Sequence, residues 1–179
     1  MNAHFGTDVR RILCLWFPYL QTDRIRRARL GPSWRSSRCL PLVISHRDHG
    51  AQRIYALDAQ SEALGLRREI GIADARALHP GIEVVEADPA ADRKLLEAVA
   101  DWCDRYTPLV AMDAEGQDLS LDITGCAHLF GGEDALLRDL TTRLSRQGFE
   151  PRAGIASTPG AAWAAARFGL PPISPGDEA

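Results

Sequence analysis

The stretch from residue 110 to residue 123 constrains the fold most, because it has the pattern of two short strands joined by a tight turn. Apolar or alternating runs lie at both of its ends, and Glu115-Gly116 supplies the turn chemistry between them. Side chains alternate along a strand, so Leu119 and Leu121 should face one side of a sheet and Asp122 the other. The sequence therefore predicts a β-hairpin here.

Strand and helix patterns alternate along the rest of the chain. Further strands are predicted at residues 11–16, 40–45, 82–86 and 152–156. Helices are predicted at residues 19–30, 58–64, 72–78, 133–147 and 160–168, with a long helix that begins at Asp88-Pro89. This order favours an α+β fold with helices on one face of a sheet.

Composition limits the classes of function. A chain of 179 residues with 45% hydrophobic residues supports one domain, or a domain with a small subdomain. Four scattered cysteines without a CxxC pair argue against a disulfide framework or zinc knuckle. The apolar run at residues 12–20 is too short for a membrane span and follows no signal-peptide pattern, which predicts a cytoplasmic location.

Local clusters raise other possibilities. The net charge is −3, yet arginines concentrate between residues 10 and 38. The preferred interpretation of this cluster is a solvated helix face. The functional interpretation is that Arg24, Arg26 and Arg27 contact phosphates of a nucleic acid. His46 and His49 lack the further ligands that a closed metal site requires, so a polar loop is predicted there.

Four segments together resemble a known family. They are residues 11–25, 56–85, 106–132 and 152–169, and the third, which contains LSLDITGCAHLFGG, is the most specific. The chain resembles the N-terminal palm and fingers region of Y-family DNA polymerases, the UmuC-like domain, and most closely the ImuB group of bacterial mutagenesis proteins.

This resemblance implies a domain layout. It implies a ferredoxin-like palm sheet with helices on one face, at about residues 9–30 and 88–169. A small helical fingers subdomain is implied at about residues 40–87, and residues 170–179 are a tail or a truncated linker. The chain ends before any thumb or little finger of the family, and whether it is a fragment stays open.

The resemblance also implies an altered metal site. Polymerisation uses two divalent cations, which require several carboxylates directed at one spot. The first acidic position of the family falls near Leu15, in a run without any acid, and the hairpin pair falls on Gln117 and Asp118, with Asp122 matching a structural Asp.

A shift of the hairpin register could change which acids are available. Asp113 or Glu115 would then replace the missing hairpin acid, because a slip of one residue reverses the face of each side chain. No shift supplies an acid to the first strand.

The triphosphate site of the family is altered as well. Its Tyr and Arg positions fall on Ala59 and Glu62, and Glu62 would repel a phosphate. The lysine-bearing helix of the family is replaced by residues 158–163, which contain no lysine. Three losses in the same direction predict a pseudo-polymerase without a bound metal or other cofactor.

The resemblance implies a role in DNA repair, translesion synthesis and damage-induced mutagenesis. The chain would act on damaged primer-template DNA as a scaffold for an error-prone replicative-type polymerase, together with a RecA-like ImuA-type protein and the sliding clamp. One alternative is an active Mg²⁺-dependent translesion polymerase that uses Asp113, Glu115, Asp118 and Asp122. Another is a ferredoxin-like nucleic-acid-binding module, although the strands lack the aromatic residues on which RNA binders stack bases.

Overall fold

The computed structural model describes residues 9–113 and 117–174. Its strands are β1 (Ile12–Trp16), β2 (Leu42–Asp48), β3 (Ala51–Leu57), β4 (Glu83–Glu86), β5 (Val110–Met112), β6 (Asp118–Asp122) and β7 (Arg152–Ala156). Its α-helices are α1 (Leu20–Leu30), α2 (Ala59–Ala63), α3 (Ile72–Leu78), α4 (Pro89–Cys103), α5 (Glu133–Arg146) and α6 (Pro159–Phe168). Short 3₁₀ turns lie at Trp34–Ser36 and Ala127–Phe130. None of the helices in the described ranges combines the length and the apolar character that crossing a bilayer requires.

The chain divides into two compact units. Within the described part, the first unit comprises residues 9–18, 96–143 and 151–174, and the second comprises residues 19–95 and 144–150. The palm and fingers boundaries inferred from the resemblance stay a prediction.

The first unit is built on an antiparallel sheet with the strand order β5-β6-β1-β7. Taken in chain order, β1, α4, β5, β6, α5 and β7 give the β-α-β-β-α-β order of a ferredoxin-like fold. The elements from α1 to β4 lie between β1 and α4 in the sequence. Leu119 and Leu121 are fully buried, while Ser120 and Asp122 are only partly buried. The predicted division of this strand into an apolar and a polar face is confirmed.

Helix α6 packs against the face of β1 that carries Ile12 and Cys14. The close approach depends on Gly154 in β7, where an added Cβ would lie 2.4 Å from the backbone nitrogen of Ala166. Leu13 on the opposite face of β1 is also fully buried. Both faces of β1 are therefore covered, which goes beyond the one-faced arrangement expected from the sequence, because this strand is apolar at every position rather than at alternate ones.

The second unit contains a three-stranded sheet with the order β3-β2-β4, in which β2 pairs antiparallel with β3 and parallel with β4. Both faces of β2 are buried: Val43 packs with apolar residues that include Ile72 of α3, and Ile44 packs in a second cluster with Ile25 of α1. The small helical subdomain expected from the resemblance thus holds a sheet as well as short helices. Its strand β3 was not predicted.

One sequence prediction in this unit is wrong. His46 lies in strand β2 rather than in a polar loop, and its ring contacts the ring of Tyr55 at 5.3 Å between centroids. Only His49 lies in the turn, where His49 and Gly50 both adopt positive φ angles of 44° and 86°. Two successive residues with positive φ form the tight hairpin turn that joins β2 to β3.

Candidate functional site

The candidate site lies on one face of the first sheet, where β1 and β6 pair. Trp16 is the direct cross-strand partner of Asp118, and Cys14 is the partner of Ser120. Direct partners on neighbouring strands share a face, so the side chains of Trp16, Asp118, Cys14 and Ser120 all belong to the face that α6 covers in part. The carboxylate that the resemblance predicted is therefore opposite an indole.

The carboxylate of Asp118 is bound by two residues of helix α6. Its Oδ2 atom accepts a hydrogen bond of 2.8 Å from the guanidinium of Arg167 and another of 3.2 Å from the indole nitrogen of Trp163. Its Oδ1 atom is buried and has no hydrogen-bond partner among the described residues. Asp118 as a whole is 4% exposed, so its charge is balanced inside the protein by Arg167.

Aromatic rings hold Arg167 in place. Its guanidinium carbon lies 4.3 Å from the ring centroid of Trp16 and 4.5 Å from that of Trp163. A second guanidinium, that of Arg152, lies 5.2 Å from the ring centroid of Trp16. Contacts between a cation and an aromatic face each contribute about 0.5–1 kcal/mol at exposed sites and more where water is excluded. Arg167 is therefore fixed by one ion pair and two rings.

Burial controls the protonation equilibria at the site. Desolvation raises the pKa of Asp118 above its ordinary value, an effect that the charge of Arg167 opposes and that the charge of Asp113 reinforces. Burial, together with the negative charge of Asp118, also raises the pKa of the Cys14 thiol to about 12. Cys14 is thus a neutral thiol at physiological pH and supplies no anionic ligand.

Leu15, the position predicted for the first missing acid, does not face Asp118 in the structure. Leu15 is fully buried on the opposite face of β1 from Trp16, because successive side chains of a strand alternate. The residue that faces Asp118 is Trp16. Gln117 precedes β6, and its carbonyl oxygen accepts a hydrogen bond of 3.1 Å from the backbone N–H of Phe17.

The remaining acids of the hairpin region differ in their distance from Asp118. Asp113 is the nearest, since its backbone N–H donates a hydrogen bond of 3.0 Å to the carbonyl oxygen of Asp118. Asp122 lies four residues along the strand from Asp118, a separation of about 13 Å. Hydrogen bonds from Thr124 and Arg10 lower the pKa of Asp122 despite its desolvation. Asp113 is exposed at the end of β5, and Glu115 lies outside the described residues.

The possible metal ligands on this face can be compared with the ligands that a pair of divalent cations requires. Two catalytic metal ions lie roughly 3.5–4 Å apart and share several oxygen ligands. In the ranges 9–113 and 117–174, no group of three His, Cys, Asp or Glu residues is placed to hold a metal ion. The carboxylate of Asp118 is already bound by Arg167. Within the described residues, the donors present do not fit the two-metal arrangement.

The predicted triphosphate positions belong to the second unit. Ala59 and Glu62 lie on the exposed side of the short helix α2. The Glu62 carboxylate accepts a hydrogen bond of 2.8 Å from the hydroxyl of Tyr19. An acceptor-only side chain in this position has no hydrogen bond to donate to a phosphate.

The three arginines predicted to contact DNA are bound within the second unit. The Arg24 guanidinium pairs with Asp92 at 2.5 Å. Arg27 lies over the ring of Phe149, with its guanidinium carbon 4.0 Å from the centroid, and donates a hydrogen bond to the carbonyl oxygen of residue 147. These two side chains are committed to protein contacts.

Arg26 is the most enclosed of the three arginines. It is 4% exposed, pairs with Asp58 at 3.3 Å and Glu83 at 3.4 Å, and donates to the carbonyl oxygen of Leu40. Asp58 in turn accepts hydrogen bonds from the backbone N–H groups of Leu42 and Ser61. A buried guanidinium with these partners stabilises the unit, and the phosphate contact predicted for Arg26 stays a prediction.

Sequence reasoning did not identify Trp16, Trp163 and Arg167 as site residues. Trp16 is separated from Trp163 and Arg167 by more than a hundred residues of chain, and no spacing rule connects strand β1 with helix α6. Two weaker signals did point to this place. The first strand contains no acid, and the segment 158–163 has a tryptophan but no lysine.

Comparison with protein families supports the resemblance noted in the sequence. Residues 35–167 match the model of the impB/mucB/samB family. Proteins named ImuB from two strains of Caulobacter vibrioides are 58% identical to this chain over 97 residues, which make up 54% of this chain and 21% of each relative. The matched part of this chain thus spans about a fifth of the length of these relatives.

Solved structures share the fold. An insertion ternary complex of Dbh DNA polymerase superimposes with a TM-score of 0.75 and 15% identity, and covers 93% of this chain and 49% of that polymerase. DinB from Sulfolobus solfataricus gives a TM-score of 0.69 and 16% identity, and the superposition covers 88% of this chain and 45% of the DinB chain. Identities this low establish the fold alone. These matches confirm the resemblance and the mixed α+β fold class that the sequence predicted.

Proposed function

Because this chain belongs to the impB/mucB/samB family, we propose that it is a polymerase-like protein which does not itself polymerise DNA and which acts as a scaffold in DNA repair, translesion synthesis and damage-induced mutagenesis. The observation that carries this proposal is the Asp118–Arg167 ion pair. It occupies the part of the sheet where the resemblance puts the metal-binding hairpin.

The pair supplies internally the positive charge that a metal ion would supply in an active relative. A Mg²⁺ ion would have to displace the guanidinium of Arg167 from Asp118 and from the rings of Trp16 and Trp163. In return it would gain the carboxylate of Asp118 and, from the described residues, Asp113 as a neighbouring acid. Hard cations are held by more oxygen ligands than this and give up their water reluctantly. This imbalance supports a scaffold over an enzyme.

The partners of the scaffold follow from the resemblance. Two relatives carry the name ImuB, and one structural neighbour is a ternary complex of a DNA polymerase. We therefore propose that the chain acts in the cytoplasm on damaged primer-template DNA, with an error-prone replicative-type polymerase, a RecA-like ImuA-type protein and the sliding clamp. In this scheme the error-prone polymerase performs the chemistry.

An active Mg²⁺-dependent polymerase is the second candidate, and one observation favours it. The Oδ1 atom of Asp118 is buried without a hydrogen-bond partner among the described residues, and Asp113 is near enough for its charge to raise the pKa of Asp118. Two neighbouring carboxylates are the beginning of a metal site. The free oxygen is nevertheless on a group whose other oxygen is bound to Arg167.

A primer-extension assay separates the two candidates. The chain would be assayed alone and joined to the thumb and little finger of a Y-family polymerase, with Mg²⁺ or Mn²⁺ and all four deoxynucleoside triphosphates. We expect no extension from either protein, while an intact Y-family polymerase extends the same primer. Asp118→Asn is the matched control, because it removes the hairpin carboxylate that lies opposite Trp16. Metal-dependent extension that Asp118→Asn abolishes would show that the chain is an enzyme.

A further inference from the structure

The face that holds the ion pair also presents an aromatic and basic surface to solvent. We call it the Trp163 patch, and it consists of Trp16, Arg152, Trp163 and Arg167. Trp163 is 43% exposed even though Arg167 covers part of its ring. Arg152 is exposed, and Trp16 is half-buried between the two guanidinium groups. An exposed indole beside basic side chains is the combination that proteins use to bind single-stranded nucleic acids.

The two arginines of the patch differ in their electrostatic state. Arg167 is neutralised by Asp118 at 2.8 Å. Arg152, at the start of the edge strand β7, touches the Trp16 ring, and no carboxylate within the described part of the chain forms an ion pair with it. The patch therefore combines one uncompensated positive charge with an exposed aromatic ring.

We propose that the Trp163 patch binds single-stranded DNA, with an unpaired base stacked on the indole of Trp163 and a neighbouring phosphate held by the guanidinium of Arg152. Proteins that bind single strands combine aromatic side chains, on which bases stack, with basic side chains that follow the backbone. A base within a duplex cannot offer its face to an indole, so the patch selects the single strand. This inference rests on the proposed function, since it assigns a place to the DNA on which the scaffold acts.

The geometry favours a nucleic acid over an acidic protein. The residues of the patch offer one unpaired cation, whereas an acidic peptide is held by several cations in a row. Two indoles, by contrast, offer ring surface that suits a nucleobase. The ring of Trp16 is already in contact with both guanidinium groups, which leaves Trp163 as the stacking surface.

The same unit offers matched controls. Trp102 on α4 lies beneath the guanidinium of Arg105, at 4.3 Å from guanidinium carbon to ring centroid. This pair repeats the chemistry of the patch, but the Trp102 ring also packs on Tyr106 at 5.7 Å between centroids. Substitutions at Trp102 and Arg105 therefore test whether any tryptophan and arginine pair would serve.

The experiment measures binding of the full chain to a fluorescein-labelled oligothymidylate by fluorescence anisotropy over a range of salt concentrations. We expect Trp163→Ala to weaken binding by about ten-fold, and Trp163→Phe, which retains a ring, to keep most of the affinity. Arg152→Ala should weaken binding and lower the slope of log K against log salt by about 0.7, the value for one phosphate contact on a single strand. Trp102→Ala and Arg105→Ala should bind like the unaltered chain, and a duplex of the same length should bind more weakly.

Contrary results distinguish a failure of the patch assignment from a failure of the proposed function. If the chain binds the oligonucleotide but Trp163→Ala and Arg152→Ala lose no more than the control variants, the patch is not the binding site and the scaffold function stands. Duplex binding as tight as single-strand binding, or displacement of the oligonucleotide by an equal concentration of a polyglutamate peptide, also overturns the patch assignment. If the chain binds neither single-stranded nor duplex DNA, the DNA role of the proposed function is wrong too. Circular dichroism of each variant verifies that the fold is kept.

Discussion

Replacement of Arg167 by alanine should destabilise the first unit far more than the loss of an ordinary surface charge. The side chain of Asp118 is 6% exposed and that of Arg167 is 23% exposed, so the variant leaves a carboxylate buried without its counter-ion. Breaking a fully buried pair costs about 3–5 kcal/mol, and screening at the partly exposed Arg167 reduces this to about 2–3 kcal/mol. The lost contacts with Trp16 and Trp163 add about 1–2 kcal/mol.

The expected total is a fall of roughly 3–5 kcal/mol in the free energy of unfolding, the sum of these two contributions. For an m-value of about 2 kcal/mol per molar urea, the unfolding midpoint should move down by about 2 M. Asp118→Asn should cost less, about 1–2 kcal/mol, because the amide keeps an acceptor for the Trp163 indole and the charge left without a counter-ion is that of Arg167, whose side chain is 23% exposed. The double variant should be at least about 1 kcal/mol more stable than Arg167→Ala alone, since neighbouring substitutions couple.

The pH dependence of the same variant gives an independent test. Burial already raises the pKa of Asp118 above its ordinary value of 3.8, and removal of Arg167 eliminates the strongest effect that opposes this rise. A carboxyl group whose pKa is higher in the folded than in the unfolded state binds more protons when folded, so its contribution to stability is lost as the pH rises. The loss of unfolding free energy caused by Arg167→Ala should therefore be larger at pH 8 than at pH 5.

Urea unfolding followed by circular dichroism measures all of these differences. Arg143→Ala is the control, because Arg143 forms an exposed ion pair with Asp139 within one helix and should cause little change. The reasoning fails if Arg167→Ala is no less stable than Arg143→Ala. It also fails if the double variant loses the full sum of the two single effects.

Further predictions concern the packing, the buried charges and the thiols. Gly154→Ala should lower the free energy of unfolding by about 1–3 kcal/mol because its Cβ would overlap helix α6, whereas Gly160→Ala, which meets open space, should not; thermal unfolding compares the two. Arg26→Ala should be strongly destabilising and Arg29→Ala only weakly so, since their side chains are 4% and 48% exposed; equal midpoints in urea would contradict the structural role of Arg26. The Cys14 thiol, with its pKa raised to about 12, should resist alkylation at pH 8 in the folded protein while the two half-buried cysteines react; mass spectrometry of the labelled peptides would detect the opposite order.

The sequence was most informative where local patterns determine structure. Strand β7 and helix α3 were predicted at their observed bounds. Each has a regular spacing of apolar residues and residues that end the element. Strand β3 was missed because its first half is exposed and polar. The signal that could have found it is His49-Gly50, whose positive φ angles fit a two-residue hairpin turn.

The site itself was only partly within reach of the sequence. Motif matching identified Asp118 and the loss of acids in the first strand, yet it put the vacant position on Leu15, one residue from the Trp16 that faces Asp118. A shift of one residue along a strand reverses the face, so only the observed register could decide between them. The ion pair between Asp118 and Arg167 joins residues 49 positions apart through tertiary packing, which local sequence patterns do not predict.

Titration calorimetry of the full chain with Mg²⁺, in the presence of a deoxynucleoside triphosphate, tests the central claim most directly. That claim is that Arg167 and two indoles occupy the surroundings of Asp118 and leave too few oxygen ligands for paired metal ions. We predict no saturable heat of metal binding under conditions in which an active Y-family polymerase binds its metal ions. Tight binding of two Mg²⁺ ions per chain, lost in Asp118→Asn, would contradict the account.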